Sequence, residues 1–190
     1  MNSIRTSSSM HHRFSTTSRN RSVTNDKQRE DACSGEKAMK ILDVLDKKAI
    51  LLDLKSKDKI GILNELVAPA ADITGIDHNE MVRVLMERER LGSTGIGGGI
   101  GIPHGKLKNL EKLVLGFGLS RKGVDFESMD GRPTHLFFLL ITPEHSTDLH
   151  LKLLARVSRL LKKEPLKERM MKATSADEII AIIGEDDDDF

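Results

Sequence analysis

At 190 residues, of which 38% are hydrophobic, the chain has the material for one core of ordinary size and little else. Its 30 basic side chains are interleaved with 29 acidic ones for a net charge of +1, which leaves no sustained basic surface, and the absence of Trp and Tyr argues against base-stacking platforms, so nucleic-acid binding is set aside. No apolar run approaches the roughly 20 residues of a membrane helix, and the single Cys33 rules out an internal disulfide and a cysteine metal cluster; a cytoplasmic chain with no direct membrane insertion, no metal and no cofactor is expected.

Residues 1–38 are rich in Ser, Thr, Arg and Asn and hold only Ile4, Met10, Phe14 and Val23 as sizeable apolar side chains. Such a segment cannot bury enough surface to offset its chain entropy. It carries no acid before Asp26, as transit peptides do, yet it lacks their periodic apolar face and has no secretory core. A disordered extension is expected, or a translation start placed too early, with Met39 the natural beginning. From there to residue 184 the pattern is that of one folded domain. Residues 41–45 read as a helical turn and 50–54 as a strand, with Asp46, Lys47 and Lys48 between them. Asp58 caps a helix in which Ile60, Leu63, Leu66 and Val67 recur on one face. Asp77 caps a second, with Met81, Val82, Val84, Leu85 and Met86 inward, and Gly92 stops it.

The stretch that follows is the most informative in the chain. Glycines at 92, 95, 97, 98, 99, 101 and 105 surround Ile96, Ile100 and Ile102, and the run ends in Pro103-His104-Gly105-Lys106. Glycines allow positive φ and let main-chain N–H groups approach an anion closely, while Pro103 stiffens the approach to His104. A P-loop is excluded because no Gly-Lys-Ser/Thr follows at the required spacing, and a dinucleotide fingerprint is disfavoured because Ile100-Gly101-Ile102-Pro103 cannot continue as a helix. A reactive histidine in a donor-rich loop remains, with Ser93, Thr94 and Lys106 as polar neighbours.

Beyond the loop, 113–119 and 135–141 read as strands, the second apolar throughout and therefore central and covered on both faces. Arg121-Lys122-Gly123 and Asp130-Gly131-Arg132-Pro133 read as turns between them. Residues 149–161 form an amphipathic helix, Pro165 separates it from a short helix through Met171, and Ser175-Ala176-Asp177-Glu178 is a capping box opening a last helix closed by Gly184. Residues 185–190 are expected to be a solvated acidic tail. Helices around a few strands predict an α/β domain.

Arg88-Glu89-Arg90-Leu91-Gly92-Ser93-Thr94-Gly95-Ile96, followed by Gly101-Ile102-Pro103-His104-Gly105-Lys106, resembles the signature of the enzyme IIA domains of the bacterial phosphotransferase system. The likeness is to the fructose/mannitol superfamily, most closely its nitrogen-regulatory branch. It extends to Phe137-Phe138-Leu139-Leu140-Ile141-Thr142-Pro143 and His150-Leu151-Lys152-Leu153-Leu154-Ala155. The resemblance implies a mixed β-sheet sandwiched between helices on both faces, in a single domain. It also implies that His104 is phosphorylated by a histidine-containing phosphocarrier protein, and that His150 lies beside it and stabilises the phosphoryl group. Arg88 matches an arginine close to the active histidine, and a guanidinium fork suits phosphate oxygens. Ser93, Thr94 and Gly95 are candidate phosphate-binding donors.

The residues alone leave other placements open: His150 as a surface histidine at a helix start, and Arg88 as half of an exposed pair with a neighbouring glutamate. His135 and His145 are weaker candidates, and no spacing among the histidines fixes a zinc site. Two outputs follow from the resemblance, a mainly regulatory one acting on a target protein and, as the alternative, passage of phosphate to a fructose/mannitol-type enzyme IIB in sugar uptake.

Overall fold

The computed structural model describes residues 39–187, so the expectations for residues 1–38 lie outside it, as does the very end of the acidic tail. After a single 3-10 turn at Ile41–Asp43 the elements run β1 (Leu45–Leu51), α1 (Lys59–Thr74), α2 (His78–Arg90), β2 (Gly95–Gly97), β3 (Ile100–Gly101), β4 (His104–Leu107), β5 (Val114–Val124), β6 (Thr134–Pro143), α3 (Thr147–Leu160), α4 (Glu164–Lys172) and α5 (Ala176–Asp187). The six strands form one mixed sheet in the order β1-β5-β6-β3-β2, with β4 also paired to β6. One edge of β6 thus carries β5 antiparallel, and the other carries β3 and then β4 in parallel.

Because β6 is buried along nearly its whole length, its side chains divide between two cores by the two-residue period of a strand. Leu136, Phe138 and Leu140 join Leu115, Phe117 and Leu119 of β5 against α3, α4 and α5. Phe137, Leu139 and Ile141 face α1 and α2. Each core holds one edge-on phenylalanine pair, Phe117 with Phe138 at 5.2 Å and Phe126 with Phe137 at 5.1 Å. The expected sheet covered on both faces is what the chain builds.

The caps act as read: Asp58 accepts from Gly61 N at 2.8 Å and Asp77 from Glu80 N at 2.9 Å. Four local expectations are corrected. The first strand is Leu45–Leu51, with Asp46, Lys47 and Lys48 inside it; β1 is an edge strand, where a charged, bulged segment is tolerated. Arg121-Lys122-Gly123 is not a turn, because β5 continues to Val124 through a register shift, with Gly123 at φ +75° taking the irregular position. Ile60 is 56% exposed, and the buried face of α1 is Ile62, Leu63, Leu66, Val67 and Ala70. The last helix does not close at Gly184 but runs to Asp187, since Glu185 pairs with Arg169 and Asp186 with Lys163, each at 2.6 Å.

Candidate active site

Three element ends meet at the β4 edge of the sheet, with α2 on one face and α3 on the other. The C-terminal turn of α2 brings Arg88, β4 brings His104 and Lys106 on one of its faces, and the first turn of α3 brings His150. The glycine-rich run preceding His104 is a small hairpin, β2 with β3, whose turn holds Gly97, Gly98 and Gly99 at φ of +89°, +62° and +78°. The Asp130 carboxylate holds that turn by accepting from Gly98 N at 2.8 Å. His104 itself is not on the loop where the sequence placed it but is the first residue of β4, half-buried and paired in register with Leu140.

The imidazole of His104 has both nitrogens engaged. Nδ1 lies 2.7 Å from the carbonyl oxygen of Ile102, which only accepts, so Nδ1 carries the proton and donates. Nε2 then holds the lone pair, and it accepts from Arg88 Nε at 3.0 Å. The other arm of the guanidinium, Nη1, donates to the carbonyl of Gly92 at 2.9 Å, which seats the arginine against the turn that ends α2. Arg88 therefore faces the histidine rather than a neighbouring glutamate. Burial above all, together with the Arg88 charge, holds the His104 imidazole below its ordinary pKa, opposed by the Ile102 carbonyl and the Glu89 carboxylate. The shift favours the neutral ring.

His150 is buried, not a surface residue. Its ring centre lies 5.3 Å from that of His104, and its Nδ1 shares a 2.9 Å hydrogen bond with the Thr142 hydroxyl. Burial first, then the proximity of His104, Lys106 and Arg88, pushes its pKa down to about 4. Lys106 donates to Thr147 Oγ1 at 2.8 Å, which ties β4 to the start of α3. A helix N-terminus, two imidazoles, a guanidinium and an ammonium are collected here, and the assembly favours a dianion over any cation. Among the described residues no group of three His, Cys, Asp or Glu side chains is placed to hold a metal.

The structure does not bring the loop donors to this point in free form. Thr94 N and Oγ1 both donate to the Glu89 carboxylate, Ser93 Oγ donates to the Phe126 carbonyl at 3.0 Å, and Gly95 N donates to Ser93 Oγ at 3.1 Å. His145 is exposed, and His135 is turned to the Ser120 carbonyl at 3.0 Å. Two residues escaped the sequence reading. Thr142 is the lone hydroxyl near the end of an aliphatic strand, and Glu89 falls four residues after Leu85 and eight after Met81, on the buried stripe of α2.

Residues 43–186 match the family described as phosphoenolpyruvate-dependent sugar phosphotransferase system, EIIA 2. The chain belongs to this enzyme IIA family. It is 42% identical over 145 residues to a nitrogen regulatory protein of Bradyrhizobium diazoefficiens, a match covering 76% of this chain and 95% of that one. It is 39% identical over 151 residues to the fructose-specific EIIABC component of Bacillus subtilis, covering 78% of this chain but 24% of that larger protein. Among solved structures, nitrogen regulatory protein IIA-Ntr from Neisseria meningitidis superposes with a TM-score of 0.71 at 31% identity, covering 74% of this chain and 97% of that one. This enzyme IIA chain is thus of the phosphotransferase kind, and among its described residues no helix is long and apolar enough to cross a membrane.

Proposed function

We propose that the chain is a phosphocarrier with a mainly regulatory output, taking a phosphoryl group on Nε2 of His104 from a histidine-containing phosphocarrier protein. The observation that carries this reading is the bonding of the imidazole. The Ile102 carbonyl keeps the proton on Nδ1, which leaves the Nε2 lone pair directed at Arg88, with the His150 ring centre 5.3 Å from that of His104. In the transfer, the N–P bond of the donor phosphohistidine breaks as the Nε2–P bond forms, and the donor imidazole leaves with the electron pair. No proton is taken from His104, because its Nδ1–H stays on Ile102. Arg88 exchanges the ring nitrogen for phosphoryl oxygens, where its fork is worth more.

His150 is the second holder of the phosphoryl group, since the arriving negative charge favours its protonated form and offsets the burial that now keeps it neutral. Ser93, Thr94 and Gly95 support the site by fixing the hairpin and the end of α2, through the bonds they already make. Upstream, the partner is a histidine phosphocarrier protein. Downstream, the likeness to nitrogen regulatory proteins over nearly their full length favours a regulatory target protein. The likeness to a fructose-specific component supports the second reading, passage of the group to an enzyme IIB.

The test is incubation of the full chain with phosphoenolpyruvate, the first phosphotransferase-system enzyme and a histidine phosphocarrier. Label that is acid-labile, base-stable and absent from His104→Ala is expected. Acid-stable label, or full labelling of His104→Ala, refutes the assignment. Adding a fructose-type enzyme IIB separates the two outputs, because rapid loss of label to it identifies the sugar-uptake reading.

A further inference from the structure

Consecutive residues at the end of α2 reach the two nitrogens of the same imidazole by different routes. Arg88 touches Nε2 directly. Glu89 points the other way, into the protein, where it is 7% exposed and its carboxylate accepts from Thr94 N at 3.1 Å and from Thr94 Oγ1. The Thr94 carbonyl accepts in turn from Ile102 N at 3.0 Å, and the Ile102 carbonyl accepts from His104 Nδ1 at 2.7 Å. A buried carboxylate is costly unless paired, and Lys59 provides the counter-charge at 3.2 Å, itself shared with Glu127 at 2.9 Å and seated over the Phe126 ring. Hydrogen bonds relayed through the backbones of Thr94 and Ile102 therefore connect a buried ion pair to the proton-bearing nitrogen of His104.

We propose that Glu89 is a positioning residue for phosphoryl acceptance, which sets the tautomer of His104 by fixing Thr94 and, through it, the carbonyl of Ile102. The chemistry requires such a device. A free histidine side chain in water favours the opposite neutral tautomer, with the proton on Nε2, and that form has no lone pair where the phosphorus must arrive. Which nitrogen of a histidine is free is set by the hydrogen bond made at the other one. An Ile102 carbonyl that wandered would release Nδ1–H and let the proton return to Nε2. The carboxylate suits the task because it takes both the N–H and the hydroxyl of Thr94, which pins that residue at two points. The charged and titratable groups around the ring are Arg88, Glu89 and His150, with Lys106 next to His150.

The inference rests on His104 Nε2 being the phosphoryl acceptor, and its test is chosen to be readable without phosphorylation. In the full chain labelled with 15N-histidine, two-bond proton–nitrogen spectra report the tautomer and titration of His104. The wild type is expected to show protonated Nδ1 alone. In Glu89→Gln the Nε2–H form becomes a detectable second population, and phosphorylation slows by roughly 10-fold, the lower end of what loss of an orienting partner does to a histidine site. Thr94→Val, which keeps the main-chain bond to Glu89 and removes the hydroxyl, shows the same shift more weakly, and Thr94→Ser behaves as wild type. A merely structural carboxylate would lower the melting temperature and leave the tautomer and the His104 titration in place. An unchanged His104 spectrum in folded Glu89→Gln overturns the proposal, as does an unchanged spectrum in Thr94→Val if the first variant does not fold. A wild type that takes no label at His104 instead sinks the phosphocarrier reading, with the tautomer result unaffected.

Discussion

Arg88 Nε sits 3.0 Å from Nε2 of His104, on the lone pair that the proposed phosphoryl transfer would use. On the proposed function the arginine is both a placeholder before transfer and a ready partner for the oxygens that would displace it. Its second bond, to the Gly92 carbonyl, holds the guanidinium plane while the first is exchanged. Arg88→Lys keeps the charge but loses the fork, so both grips cannot be kept at once. Phosphorylation of His104 is expected to slow by about 10- to 100-fold, in line with roughly 1.5–3 kcal/mol for a hydrogen bond to a charged group. Equal initial rates of label uptake by the lysine variant and wild type would reduce Arg88 to a helix-end residue.

His150 is neutral at pH 7 before transfer, with a pKa near 4. A dianionic group placed on the neighbouring ring raises that pKa, because an opposite charge at close range favours the protonated form. On the proposed function, acceptance of phosphate is therefore coupled to proton uptake. The sign is that the phosphorylated state gains on the free one as pH falls toward the pKa of His150 in the free protein. NMR titration of the His150 ring before and after phosphorylation checks this directly, and the expected outcome is an upward shift of at least about one unit. His150→Ala is still labelled at His104 but loses its label faster, and its phosphorylation equilibrium loses this share of its pH dependence.

The same depressed pKa bears on stability. His150 binds its proton near pH 6.5 when unfolded and near pH 4 when folded, so between these values the unfolded chain holds more protons. Its contribution is fully present above pH 6.5 and is lost as pH falls toward 4. For a side chain that is 6% exposed the loss amounts to about 3 kcal/mol, taking roughly 1.4 kcal/mol per unit. His104 is depressed in the same direction and adds to the effect. Denaturant unfolding at pH 7 and pH 4 is expected to show this slope, and His150→Gln, which cannot titrate, is expected to flatten it.

Much of the fold and of the candidate site was legible because local patterns and long motifs agreed. The apolar run of β6 announced a central strand, the two aspartates announced their helices, and the glycine-rich run with its terminal histidine pointed to the place where Arg88, His104 and His150 come together. Illegible in the sequence was the partner of each donor. Thr94 looks like an anion-binding residue, yet a carboxylate five positions earlier takes both its donors. That carboxylate was hidden because acids near a helix end are ordinarily solvated, and only the continuation of the Met81–Leu85 stripe marks Glu89 as buried. The reach of β5 past Leu119 was missed for a related reason. Arg121, Lys122 and Gly123 have turn chemistry, but tertiary pairing with β6 resumes at Val124 and Thr134 and overrides it.

Gly105, directly after His104, shows how closely helix and strand are fitted. Its side of β4 faces α2, and a Cβ there would lie 2.8 Å from Val84 Cγ1. Val84 is one turn before Arg88 on the same helix, so whatever moves the valine moves the arginine with it. Valine is stiff at χ1 and has no far end to swing aside, so Gly105→Ala must be accommodated by separating α2 from β4. The expected cost is about 1–3 kcal/mol of stability, typical of one methyl forced into a packed contact. Phosphorylation of His104 should fall further than the unfolded fraction accounts for, because the Arg88 bond lengthens in molecules that remain folded. The compensating change is Val84→Ala, which clears the space the new methyl needs. A double-mutant cycle on these two positions should show strong coupling, the pair being more active and more stable than Gly105→Ala alone. Additive losses would mean that the helix tolerates the methyl without moving, and that the glycine is there for some reason other than the approach of α2.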